Sequence, residues 1–184
     1  MFRPILTYGV IAGVIVVAPM MAGFLFGPPP EETLANGAGM LIGYLSMLVA
    51  LSVIFVAVKR YRDKRLGGVI KFLPAFLLGL GISAVAGVIY VIGWEITLSL
   101  MNYEFMETYT RVMIEAKQRE GLAGPELEAY IAQMQQMTAQ YRNPLFRLPI
   151  TFLEIFPVGL LVSLITALIL RNSRILPARP APAA

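Results

Sequence analysis

The chain has 184 residues, 58% of them hydrophobic and only 14% charged, with a net charge of +4 and a mean hydropathy of +0.73. Soluble domains carry about 45–50% apolar and about 25% charged residues, so this balance points to a membrane protein. With no cysteine and no histidine, disulfides, thiolate chemistry, cysteine or histidine metal sites and a Ser-His-Asp triad are excluded.

Four apolar stretches reach the ~20 helical residues needed to cross a ~30 Å hydrocarbon layer. They run from about Ile5 to Phe26, Ala38 to Val58, Phe72 to Met101 and Ile150 to Leu170. The ~10-residue alternating segments of a membrane β-barrel are absent. The first stretch follows Arg3 and exceeds the roughly 7–15 apolar residues of a signal-peptide core. It is read as a retained helix, with a cleaved signal as the alternative. The connection GPPPEETLANG, residues 27–37, holds two acids and no base. The next connection, KRYRDKRLGGVIK at 59–71, holds Lys59, Arg60, Arg62, Lys64, Arg65 and Lys71 against Asp63 alone. It is read as a basic loop that sets topology and touches lipid headgroups. Arg171, Arg174 and Arg179 follow the fourth stretch. The positive-inside rule then places both termini and the 59–71 loop in the cytoplasm, and residues 102–149 outside.

In that outer region Phe105, Tyr109, Val112, Met113 and Ala116 recur at helical spacing. After GLAGP, Leu127, Ile131, Met134, Met137 and Tyr141 form a second stripe. The two stripes predict an antiparallel helical hairpin. With no strong breaker after the third stretch, one helix is allowed to run from the membrane to about Glu120. The Pro/Ala-rich tail, 171–184, is expected to be disordered. The predicted fold is thus all-α: a four-transmembrane-helix bundle with an extramembrane helical hairpin between helices three and four.

Small residues recur four apart at Gly9/Gly13, Gly23/Gly27, Gly39/Gly43 and Ser83/Gly87. Such faces serve either packing within one bundle or dimerisation. Two acids, Glu95 and Glu154, interrupt apolar stretches, which marks a site by default. Helix rise puts both near the outer rim, with Tyr44 at a similar level. A shared polar site of Glu95, Glu154, Tyr44 and Arg147 follows as an expectation, with Glu154 in the second turn of its helix and Pro157 bending the helix beneath it. The competing reading is an interfacial Glu154 paired with Arg147 or Arg142. Trp94, Tyr90 and Tyr103 are read as an aromatic belt. No P-loop, GxGxxG, HExxH or GxSxG motif is present.

The blocks TYGVIAGV, GYLSMLVALSVIFVAVKRYRD, GGVIKFLPAFLLGLGISAVAGVIYVIGWEI and TFLEIFPVGLLVSLITALIL resemble a family of bacterial integral membrane proteins known as domain of unknown function 4199. The likeness covers Thr7 to Leu170. It implies a four-helix membrane protein and marks Tyr44, Lys59, Arg60, Tyr61, Arg62, Glu95, Glu154 and Pro157 as motif positions. It implies no substrate and no catalytic residue. The expected function is non-enzymatic: a scaffold, accessory subunit or self-associating bundle of the inner membrane. No cofactor, metal or nucleic acid is expected, and residues 103–141 are expected to offer a surface to a membrane or periplasmic protein partner. The alternative is a small proton- or cation-coupled transporter using Glu95 and Glu154. A third, weaker class is an enzyme acting on lipid or envelope material.

Overall fold

The computed structural model describes residues 1–35 and 38–178, with side chains at 30, 35 and 38–40 not described. Asn36, Gly37 and Arg179, and the tail beyond Ala178, lie outside the described residues; Gly39 lacks described surroundings. Eight helices are described: α1 (Phe2–Phe26), α2 (Pro30–Ala35), α3 (Ala38–Leu51), α4 (Val53–Arg65), α5 (Phe72–Leu100), α6 (Phe105–Arg119), α7 (Gly124–Tyr141) and α8 (Pro144–Leu170). Four helical segments, Phe2–Phe26, Leu41–Arg65, Phe72–Leu100 and Pro144–Leu170, are long and apolar enough to cross a membrane.

The second of these is α3 and α4 with a one-residue interruption at Ser52, whose hydroxyl donates to the Val49 carbonyl at 2.5 Å. It extends to Arg65, so the residues from Lys59 to Arg65 are helical and not in a loop. Lys and Arg are good helix formers and suit a helix C-terminus. The stop comes from Gly67, at φ +64, with the Gly68 amide returning to the Arg62 carbonyl at 3.0 Å. GPPPEETLANG likewise holds a short helix, α2, opened by Glu31 and Glu32 in its first turn. α2 packs on α6, where Arg111 donates to Glu31 at 2.8 Å.

α5 is the central element, packed most extensively on α1 and α8. α4 closes the bundle against α1, α5 and α8, while α3 leans on α1 and α8. Backbone proximity explains the tight pairs. A Cβ added at Gly9 or Gly13 of α1 would lie 2.5 or 2.7 Å from Val85 or Ile89 of α5. One added at Gly79 of α5 would lie 2.8 Å from the Ser163 hydroxyl of α8. The small faces at Gly9/Gly13 and Ser83/Gly87 are therefore spent inside the bundle, whereas Gly23 and Gly43 face open space. Leu51, Ile54, Leu78, Ile82 and Ile155 fill the centre with no exposure.

α5 does not continue into α6. It ends at Leu100, and Asn102 and Tyr103 take left-handed conformations at φ 52 and 61. The chain thereby turns, and α6 and α7 run antiparallel: Thr110 meets Thr138 at 2.8 Å and Glu107 meets Arg142 at 2.5 Å. Met106, Val112 and Met134 are buried, and no large apolar side chain between Tyr103 and Leu145 is fully exposed. Of the two predicted stripes, Val112 and Met134 are buried and the other members are half buried.

Candidate functional site

The side chains that bear chemistry gather where α5 ends, α8 begins and α7 meets them. Asn143 opens α8 by accepting the Leu145 amide at 3.0 Å, and Pro144 takes the first position. The helix therefore starts at Pro144, not near Ile150, and Arg147 falls in its first turns. Arg147 is only 4% exposed. Its Nε and Nη2 donate to the two carboxylate oxygens of Glu95 on α5 at 2.6 and 2.7 Å. Its Nη1 donates to the Tyr141 carbonyl at 3.0 Å. The guanidinium also lies 5.1 Å from the ring centre of Tyr103 and 5.8 Å from that of Tyr141. Planar fork-to-fork pairing and ring stacking suit arginine and not lysine.

Tyr141 closes the knot. Its hydroxyl accepts from the Trp94 indole at 2.7 Å. Burial pushes the Tyr141 phenol above its ordinary range; donation from Trp94 and the Arg147 charge oppose that shift, and the Glu154 carboxylate adds to it. Trp94 also packs on Phe24 of α1 and Phe105 of α6, with ring centres 5.6 and 4.9 Å apart. Trp94 and Tyr90 are buried, at 8% and 6% exposure, so neither belongs to a surface aromatic belt. They aim polar tips at partners inside the protein.

Glu154 borders this knot, close enough for its charge to act on Tyr141, but makes no hydrogen bond to Glu95 or Arg147. It accepts from the Tyr90 hydroxyl at 3.1 Å. The seven residues from Arg147 to Glu154 correspond to a rise of ~10 Å along α8. The two acids thus have different hydrogen-bond partners, Tyr90 for Glu154 and Arg147 for Glu95. Arg147 pairs with Glu95 and Arg142 with Glu107, so neither arginine pairs with Glu154. With α8 beginning at Pro144, Glu154 also lies beyond the first turn, where the helix dipole no longer favours it. Tyr44 is half exposed and makes no side-chain hydrogen bond among the described residues. Pro157 lies on the outward face of α8, which continues through both Pro149 and Pro157.

At the opposite end, Arg62 is fully buried. Its Nε donates to Asp63 at 2.7 Å, its Nη1 to the Leu170 and Ile175 carbonyls at 3.5 and 3.1 Å, and its Nη2 to the Leu176 carbonyl. It cannot touch a headgroup; it pins the segment after α8, so residues 171–178 follow a defined course. Lys59 is held by Asp63 at 2.5 Å. Arg60, Lys64 and Arg65 remain exposed. A signal for Arg62 existed in the sequence: Ile54, Val58 and Arg62 are spaced by four, and all three are buried on one face. Tyr141, by contrast, is tied to Trp94 through a contact between distant helices that no local pattern announces.

Residues 7–172 match the family described as "Protein of unknown function (DUF4199)". The chain belongs to this family. No curated protein and no solved structure matches it. In this DUF4199 chain the knot of Glu95, Arg147, Tyr141 and Trp94 is internally satisfied. Its chemistry is that of a clamp joining α5, α7 and α8, with each charge neutralised in place.

Proposed function

We propose that the chain is an integral membrane protein whose four long helices span the bilayer, with both ends cytoplasmic and α6–α7 on the opposite side. We further propose that it acts without catalysis, as a scaffold or accessory subunit. The spans carry the exposed aliphatics, such as Val14, Ile42, Val49, Val88, Leu161 and Ile165, which lipid covers. The cations cluster at the end holding the N-terminus, the end of α4 and the segment after α8, which the positive-inside rule assigns to the cytoplasm.

The observation that carries this reading is the filled interior above a closed ion pair. A carrier needs a cavity that reaches its acids near the midplane. Here Leu51, Ile54, Leu78, Ile82 and Ile155 occupy the bundle centre, and the Glu95 carboxylate is committed to Arg147 through both oxygens. The partner surface on this reading has a charged rim around a largely apolar floor that includes Ile114 and Ala139. A cleft of about 530 Å³ between α6 and α7 is lined by Glu107, Arg111, Glu115, Gln135 and Arg142.

Reconstitution into vesicles tests the non-carrier reading. Imposed pH and cation gradients should decay at the rate of protein-free vesicles, for wild type and for Glu154→Gln alike. A leak that the wild type carries and Glu154→Gln abolishes would overturn it. For the partner surface, the double change Arg111→Glu/Gln135→Lys should abolish crosslinks formed in native membranes while all four spans still insert; unchanged crosslinks would overturn that assignment.

A further inference from the structure

The end of the bundle away from the knot carries a second arrangement, built by α1 and α4. A pocket of about 280 Å³ opens there, lined by Arg3, Thr7 and Tyr8 of α1 and by Arg60, Tyr61, Lys64 and Arg65 of α4. The four α4 residues share one face of the helix, because Lys64 lies four after Arg60 and Arg65 four after Tyr61. Asp63 is turned to Lys59 and Arg62 instead. The lining therefore holds four cations and no acid. Among the described residues, none of Arg3, Arg60, Lys64 and Arg65 makes an ion pair, whereas Lys59, Arg62, Arg111, Lys117, Arg119, Arg142 and Arg147 each find an acid. Four like charges around one concavity repel each other unless an anion enters.

Tyr8 and Tyr61 are half buried and stand in the pocket wall as hydroxyl donors at the level where α1 and α4 leave their apolar stretches. The exposed apolar side chains Leu6 and Val10 continue from this end along α1. A ligand seated here would thus meet cations and hydroxyls at one end and an aliphatic surface running away from it. That is the shape of a phosphate head on an acyl tail. Basic pockets between helices at a membrane surface hold such heads.

We infer that the α1–α4 pocket is a binding site for the phosphate group of an anionic phospholipid, with Arg3, Arg60, Lys64 and Arg65 as its charged rim and Tyr8 and Tyr61 as hydroxyl donors. It rests on the membrane reading for its lipid and on the pocket's charge for its phosphate. The site differs from general surface attraction because its cations converge on one concavity, whereas Arg171 and Arg174 lie at the same end of the bundle outside it.

Purified protein is exchanged into nanodiscs of phosphatidylcholine containing a small fraction of phosphatidylglycerol, and retained lipid is counted by native mass spectrometry. Arg60→Gln/Lys64→Gln should lower phosphatidylglycerol retention about thirtyfold, at roughly 1 kcal/mol for each lost cation. Arg171→Gln/Arg174→Gln, which removes the same charge, should lower it less than about threefold, the residue of surface attraction alone. Equal losses from the two variants would overturn the site. Inorganic phosphate at millimolar concentration separates the sources: displacement of the lipid by phosphate alone would overturn the lipid assignment. Failure of the membrane reading looks different, since the chain would then not enter nanodiscs of either composition.

Discussion

Arg147 and Arg62 are the two buried cations among the described residues; each is held by a carboxylate and by backbone carbonyls, the carboxylate taking two bonds of Arg147 and the carbonyls most of those of Arg62. Arg147 answers one carboxylate through two bonds, so removing Glu95 strands a cation shielded from water. Glu95→Ala should cost about 3–5 kcal/mol of stability, and Arg147→Ala less, because the Glu95 side chain is 26% exposed. The joint change Glu95→Leu/Arg147→Met should cost far less than the sum, because no charge is left unpaired. Denaturant titration in detergent measures this; additive losses would contradict the pairing. Arg62 answers backbone carbonyls at the end of α8 and beyond it. Arg62→Met should therefore act locally as well as globally. Trypsin should cut after Arg171 and Arg174 many times faster in the variant, because the segment is no longer tied down. Unchanged cleavage would show that Arg62 does not hold it.

At the scale of elements, the α5–α8 crossing depends on missing side chains. A Cβ at Gly159 would lie 2.6 Å from the Ser83 Cβ on α5. Gly159→Leu should force the helices apart at a cost of about 1–3 kcal/mol or more, whereas Gly43→Ala, facing open space, should be neutral or gain roughly 0.5–1 kcal/mol from helix propensity. Thermal unfolding of both variants makes the comparison, and similar effects would argue against the crossing. The four long helices were legible because hydropathy sums over many residues. Their ends were not, because single residues set them. Asn143 and Pro144 start α8 early, and Gly67 stops α4 late. Asn102 and Tyr103 break α5 from α6 without a glycine or proline to announce it. In the candidate site, the spacing of seven put Arg147 and Glu154 on one face of α8, yet the neighbour across the crossing, Glu95, takes the arginine. Contacts between helices decide such pairings, and a single sequence does not carry them.

At the scale of the whole molecule, charge and hydropathy divide the chain by level. One end is cationic and contains the α1–α4 pocket, the centre is filled with aliphatic side chains, and the other end is closed by the Glu95–Arg147 knot beneath α6 and α7. The proposed membrane placement makes these levels the cytoplasmic surface, the bilayer core and the opposite surface. The absence of cysteine means that single cysteines can be introduced one at a time without a background. Lys64→Cys and Arg174→Cys at one end, and Glu128→Cys and Gln133→Cys on α7, all at exposed positions, are to be labelled in intact cells with a maleimide that does not cross the membrane. Both α7 positions should react, and Lys64→Cys and Arg174→Cys should react only after the membrane is opened; labelling of all four from the same side would contradict the proposed placement.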